Sequence, residues 1–186
     1  MIKIDSLTFS YKDGIKIFEN FTAEFRKGER ACLRADSGIG KTTLLRLICS
    51  LEKPQSGKVS IKNDAKISFC SQQSDLFPWY TALKNVSVVS DEESAKELLL
   101  LFELSDSLNK YPKELSGGMK KRVSLARAVA HNGDILLIDE GFTGLEQSLK
   151  EKIMDFLKVK YKDKLIIFST HDDFETDYFA TRVIKL

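Results

Sequence analysis

The chain has 186 residues, 42% of them hydrophobic and 30% charged, with 29 basic against 27 acidic side chains and a formal net charge of +2. That length suits a single domain with one sizeable core, and the near balance of charge offers no broad basic surface for nucleic acid or an anionic membrane. No apolar run approaches the roughly 18 residues that span a bilayer, and the opening MIKIDSLTFSYKDG alternates apolar with polar residues where a signal peptide would be continuously apolar.

In chain order, strand-like runs come first at Ile2–Ile4 and Leu7–Phe9. The turns Lys12-Asp13-Gly14 and Arg26-Lys27-Gly28 follow with no helical pattern between them, which predicts an antiparallel β-subdomain. From the strand candidate Ala31–Arg34 onward the pattern changes. A helix is predicted over Thr42–Ser50, strands over Val59–Ile61 and Ile67–Cys70, and a mostly helical stretch from about 77 to 113 that includes Asp91–Leu104. A helix capped by Ser116 runs to Ala130, then come a strand at Ile135–Ile138, a helix at Gln147–Tyr161 and a strand at Leu165–Phe168. Strands alternating with helices predict an α/β fold with a mostly parallel sheet covered on both faces. The helical segment, about 77–130, interrupts the core of a single domain spanning 1–186. Cys32, Cys49 and Cys70 sit in apolar stretches without metal-knuckle spacing and read as reduced core thiols.

The loop Ala35-Asp36-Ser37-Gly38-Ile39-Gly40-Lys41-Thr42 stands directly between a predicted strand and a predicted helix. In that context Gly38 and Gly40 let successive backbone N–H groups turn around a phosphate, and the helix adds its positive end. Ser37, Gly38, Ile39, Gly40, Lys41, Thr42 and Thr43 are therefore expected to bind nucleotide, with Lys41 on the β- and γ-phosphates and the Thr42 hydroxyl on Mg²⁺. A second motif, Ile135-Leu136-Leu137-Ile138-Asp139-Glu140, is a buried strand ending in two carboxylates. Neighbouring strand side chains point to opposite faces, so the two have different tasks: Asp139 holds the metal's hydration shell and Glu140 polarises the attacking water.

Leu115-Ser116-Gly117-Gly118-Met119-Lys120-Lys121-Arg122 resembles the signature sequence of ATP-binding cassette (ABC) ATPases, with Met119 at its usual glutamine. The resemblance extends from Tyr11 to His171 with six motifs in order. It implies a phosphate-loop NTPase core carrying an antiparallel β-subdomain and a small α-helical subdomain. It further implies ATP and Mg²⁺ as ligands, Tyr11 stacked on adenine, Gln72 on Mg²⁺ and the attacking water, with neighbouring Gln73 as the alternative register, and His171 on the γ-phosphate. Ser116, Gly117 and Gly118 would face a nucleotide on a second cassette, in a homodimer or heterodimer. The aromatics of Asp75-Leu76-Phe77-Pro78-Trp79-Tyr80 suggest a docking surface, which in the family receives a transmembrane permease. The wording there looks most like bacterial importers of small solutes, whose further partner is an extracytoplasmic solute-binding protein.

The expected role is thus an ATPase at the inner face of the cell membrane, held there by its permease. An exporter motor and a weakly hydrolysing regulatory module are the competing readings. DNA-repair members carry a long coiled-coil insertion and ribosomal ones usually fuse two cassettes, and this sequence has room for neither. Three departures stand out: Ala35 at the loop's first glycine, Gly141 where proline is common, and Glu146 in place of aspartate. The short stretch from His171 to Leu186 predicts no further regulatory domain.

Overall fold

The structure, a computed structural model, describes residues 2–11, 14–36, 38–62 and 65–186. Strand β1 (Ile2–Ser10) is one piece where the sequence predicts two. Ser6 takes φ 47° and the ladder slips between Ile4 and Leu7, so a bulge breaks the alternation without ending the strand. It pairs antiparallel with β2 (Lys16–Phe25) on one side and β4 (Ser56–Ile61) on the other. Strand β2 was not among the predicted strands. Lys12 and Asp13 of the first predicted turn lie outside the described residues.

The second sheet has five strands in the order β5-β6-β7-β3-β8, every neighbouring pair parallel. These are β3 (Arg30–Arg34), β5 (Ile67–Cys70), β6 (Ile135–Asp139), β7 (Leu165–Ser169) and β8 (Arg182–Lys185). The unpredicted β8 is a short, mostly exposed edge strand with a charged residue at each end of an apolar pair, and short, charged edge strands are a usual way to blunt an edge.

Strict alternation along the central strands divides the interior in two. Leu33, Ile135, Leu137, Leu165 and Ile167 face the antiparallel sheet and helix α1 (Lys41–Ile48). Cys32, Leu136, Ile138, Ile166 and Phe168 face α4 (Gly117–Ala130) and α5 (Gln147–Lys160), together with α2 (Ala82–Ser87), α3 (Glu92–Leu101) and α6 (Asp173–Phe179). Strands β6 and β7 are buried along their whole length, which is why they read as unbroken apolar runs. The helices predicted to start at Asp91 and Ser116 begin one residue later, since both residues are caps: Asp91 accepts from Ser94 N at 2.8 Å and Ser116 from Met119 N at 3.2 Å. Burial pushes the thiols up, Cys49 to about 11 and Cys70 to about 12, and all three cysteines are free.

The registers decide where the chemistry sits. Leu33 pairs with Ser169, and Ser169 with Asp139, so β3, β7 and β6 end level with one another. Four parallel strand ends therefore release their loops at one rim.

Candidate functional site

The loop after β3 turns twice through left-handed backbone, at Gly38 (φ 86°) and Gly40 (φ 85°). Gly40 is also wedged against the antiparallel sheet, since a Cβ there would lie 2.5 Å from Ile17 Cγ2 and 2.9 Å from Phe18 Cζ. It is the N-cap of α1 and supplies no capping side chain, so the helix start keeps its N–H groups for a ligand. Lys41 is buried and folds back along the loop, donating to Ala35 O at 2.9 Å and Asp36 O at 3.3 Å. Thr42 Oγ1 donates to Asp139 Oδ2 at 2.7 Å. Thr43 Oγ1 lies 3.0 Å from the Tyr11 hydroxyl, and the Tyr11 ring stands edge-on to Phe9 at 5.0 Å. Ile39 is exposed at the loop tip. Ser37 lies outside the described residues.

The two carboxylates at the end of β6 do diverge. Asp139 is 1% exposed; its Oδ1 accepts from Ser169 Oγ at 2.6 Å while Oδ2 takes the Thr42 hydroxyl. Glu140 leaves the strand through φ 50°, a conformation that costs a non-glycine residue on the order of 1 kcal/mol. This swings its side chain into the pocket, where Oε2 accepts from Gln72 Nε2 at 3.0 Å and Oε1 lies 3.5 Å from His171 Nε2. The pocket of ≈ 300 Å³ lies between the Gly38–Thr43 part of the loop and the trio Gln72, Glu140 and His171. A larger cavity of ≈ 410 Å³, near Lys27, Asp134 and Lys164, contains none of these side chains.

The donor set fits Mg²⁺. A hydroxyl (Thr42), a carboxylate (Asp139) and an amide (Gln72) at one rim suit a hard cation that keeps most of its ligands as water and phosphate oxygen. Among the described residues no cluster of three or more His, Cys, Asp or Glu could cage a metal without such help.

Two features escaped the sequence reading. Ser169 is fully buried and touches both carboxylate residues, since its Oγ also accepts from Glu140 N at 3.0 Å. Behind His171, Lys150 Nζ bridges Asp172 Oδ2 (2.5 Å) and Glu175 Oε1 (2.6 Å), and Thr170 Oγ1 donates to Glu175 Oε2 at 2.5 Å. Burial opposes the charge on Lys150, but hydrogen bonds to the two acids outweigh it and raise its pKa; Lys150 in turn holds Asp172 below the usual carboxylate range. The apolar spacing of α5 reveals Lys150 only as one cation among several, so no local signal marked it.

Ser116, Gly117 and Gly118 head α4 and line no part of the pocket of their own chain. A separate groove of ≈ 340 Å³ runs past Phe69, Phe77, Val88, Val89 and Arg127. Trp79 beside it is 66% exposed, and the Arg127 guanidinium stacks 5.2 Å over Phe77. Gly141 is packed: a Cβ there would meet Ile138 Cγ2 at 2.5 Å, so a larger residue at that point requires Ile138 to shift. No helix among the described residues is long and apolar enough to cross a membrane.

Comparison with known proteins supplies independent context. The family model described as ABC transporter matches residues 18–143. The ergothioneine transport ATP-binding protein EgtV of Helicobacter pylori (strain G27) is 31% identical, the match covering 100% of this chain and 97% of that protein. The glycine betaine/carnitine/choline transport ATP-binding protein OpuCA of Bacillus subtilis (strain 168) is 32% identical, and there the chain spans only 55% of the relative. Among solved structures, the ATP-binding cassette MJ0796, dimeric in a post-hydrolysis state with ADP and Pi bound, superposes with a TM-score of 0.91 at 33% identity, covering 100% of this chain and 94% of that one. The protein of that name comes from Methanocaldococcus jannaschii.

Proposed function

The chain belongs to the ABC transporter family, as one of its ATP-binding ATPase subunits, and on that premise we propose that it drives import of a small solute through a separate membrane permease. The observation that carries the site assignment is the meeting of four parallel strand ends at one pocket: the loop after β3, Gln72 after β5, Asp139 and Glu140 after β6, and His171 after β7.

In this reading the N–H groups at the start of α1 and the Lys41 ammonium hold the phosphate oxygens of ATP. Tyr11, anchored through its hydroxyl on Thr43, offers its ring to adenine. Glu140, steadied by Gln72 and His171, accepts the proton of the attacking water, and in-line displacement at the γ-phosphorus releases ADP and phosphate. Thr42, Asp139 and Gln72 would hold Mg²⁺, which supplies charge neutralisation at the phosphate oxygens when bound. Ser116, Gly117 and Gly118 serve the nucleotide of a second cassette, because they stand apart from the pocket of their own chain. The chain acts as one domain, 1–186, with the helical lobe at about 77–130 presenting the aromatic groove to the permease. Such an assembly sits at the inner face of the membrane, with a solute-binding protein on the other side delivering cargo.

Small organic solutes fit as cargo, since relatives are named for ergothioneine, glycine betaine, carnitine and choline transport. The test is Glu140→Gln in the purified chain. ATP binding should persist while turnover falls about 10²- to 10⁴-fold; hydrolysis at the unaltered rate in that variant would sink the assignment.

A further inference from the structure

Asp139 and Glu140 are adjacent in sequence but serve different atoms, and one buried hydroxyl touches both. Ser169 sits at the end of β7 directly across the ladder from Asp139. Its Oγ donates to Asp139 Oδ1 at 2.6 Å and accepts from Glu140 N at 3.0 Å, while its carbonyl accepts from the same N–H at 3.3 Å. The residue is 0% exposed, so water does not replace these bonds readily.

The arrangement has a direction. The Glu140 N–H donates to the Ser169 hydroxyl, and a hydroxyl that accepts a bond donates more strongly through its own proton. That proton goes to Asp139, whose other oxygen takes the Thr42 hydroxyl. Both oxygens of the carboxylate are thereby pinned, fixing its plane toward the rim. At the other end, the amide of Glu140 is tied down at the residue where the backbone turns through φ 50°. Without that tie nothing on β7 but one longer carbonyl bond holds the turn that aims Glu140 at Gln72 and His171.

We propose that Ser169 is a positioning residue of this ATPase: its hydroxyl orients Asp139 for the metal and fixes the strained turn that delivers Glu140 to the attacking water. The proposal rests on the site assignment above. Outer-sphere partners of this kind are worth roughly 10- to 100-fold in metal affinity or activity.

The experiment compares the unaltered chain with Ser169→Ala and Ser169→Thr. Three quantities are measured for each: thermal melting without ligand, affinity for a non-hydrolysed ATP analogue with Mg²⁺ and with chelator, and kcat and KM for ATP. Ser169→Ala should melt as a folded protein, bind the analogue unchanged in chelator, gain roughly 10-fold less affinity on adding Mg²⁺ and lose roughly 10-fold or more in kcat. Ser169→Thr, which keeps the hydroxyl, should recover much of both. Equal weakening with and without Mg²⁺ would reduce Ser169 to a packing role, and an unchanged Mg²⁺ gain with unchanged kcat would remove it from the site; either result overturns the proposal. An unaltered chain that neither binds the analogue nor hydrolyses ATP would instead overturn the site assignment on which the proposal rests.

Discussion

The two helices whose starts are marked by glycine, α1 and α4, are built in opposite ways. Helix α1 is entered through Gly40 with no capping side chain, and Thr42 and Thr43 in its first turn bond to Asp139 and Tyr11 at the rim of the pocket. Helix α4 carries its own cap, Ser116 accepting from Met119 N, and then two glycines beside which a Cβ would meet nothing within 4 Å. The first start opens onto the pocket that Gln72, Glu140 and His171 of the same chain line. The second satisfies part of its own need, stands off the pocket and shows bare backbone to the outside. One chain thus carries two unlike glycine-marked helix starts that its own fold keeps apart. The proposed pairing of two cassettes is the arrangement that joins them.

Substitutions on either side can break this contrast. Gly117→Asp should have the largest effect. Open space at Gly117 lets the side chain fit in the isolated chain, and its carboxylate then opposes the γ-phosphate of a facing nucleotide. ATPase turnover should fall on the order of 100-fold, while ATP binding by the isolated chain stays as it was. A matching fall in that binding would place both helix starts in one site. Lys41→Ala acts on the other half: equilibrium titration should show affinity for ATP lower by about 10- to 100-fold, the worth of a charge-assisted hydrogen bond. Mixing the two variants in equal amounts sharpens the comparison, because a mixed pair regains one intact composite site. With random pairing and independent sites, about a quarter of the unaltered activity should return.

What could be seen in the sequence was what is local. The strand, glycine loop and helix of the phosphate site are contiguous, from Ala31 to Ile48, and the acidic end of β6 is contiguous too, so both read directly. The buried strands β6 and β7 were visible because both faces are covered. Strand β2 and the edge strand β8 were not, since Lys-Ile-Phe-Glu-Asn-Phe-Thr and Arg-Val-Ile-Lys each mix polar residues into exposed positions. The short helix α6 offers too few turns for a helical period to show, and α2 was legible only as part of the mostly helical stretch from about 77 to 113. Ser169 acts on residues about thirty positions away, and Lys150 on Asp172 and Glu175 across two elements; pairing of that range is set by register and packing, which no window of sequence contains. The left-handed turn at Glu140 was equally hidden, because glutamate gives no sign of positive φ.

Ala35 is where the sequence and the structure differ in emphasis, and the smallest prediction concerns it. A methyl group in place of the loop's usual first glycine costs about 1 kcal/mol only if the backbone there must be left-handed or must meet a ligand closely. Ala35 is not among the positive-φ residues, unlike Gly38 and Gly40. Its contribution to the loop comes through its carbonyl, which takes the Lys41 ammonium at 2.9 Å and which glycine would offer equally. Ala35→Gly should therefore leave ATP affinity and kcat within about twofold of the unaltered chain, while lowering thermal stability slightly by loosening the unfolded chain. A gain of tenfold in affinity would show that the methyl crowds the nucleotide, and the contrast between the helix starts would then begin at the end of β3, before the loop that enters α1.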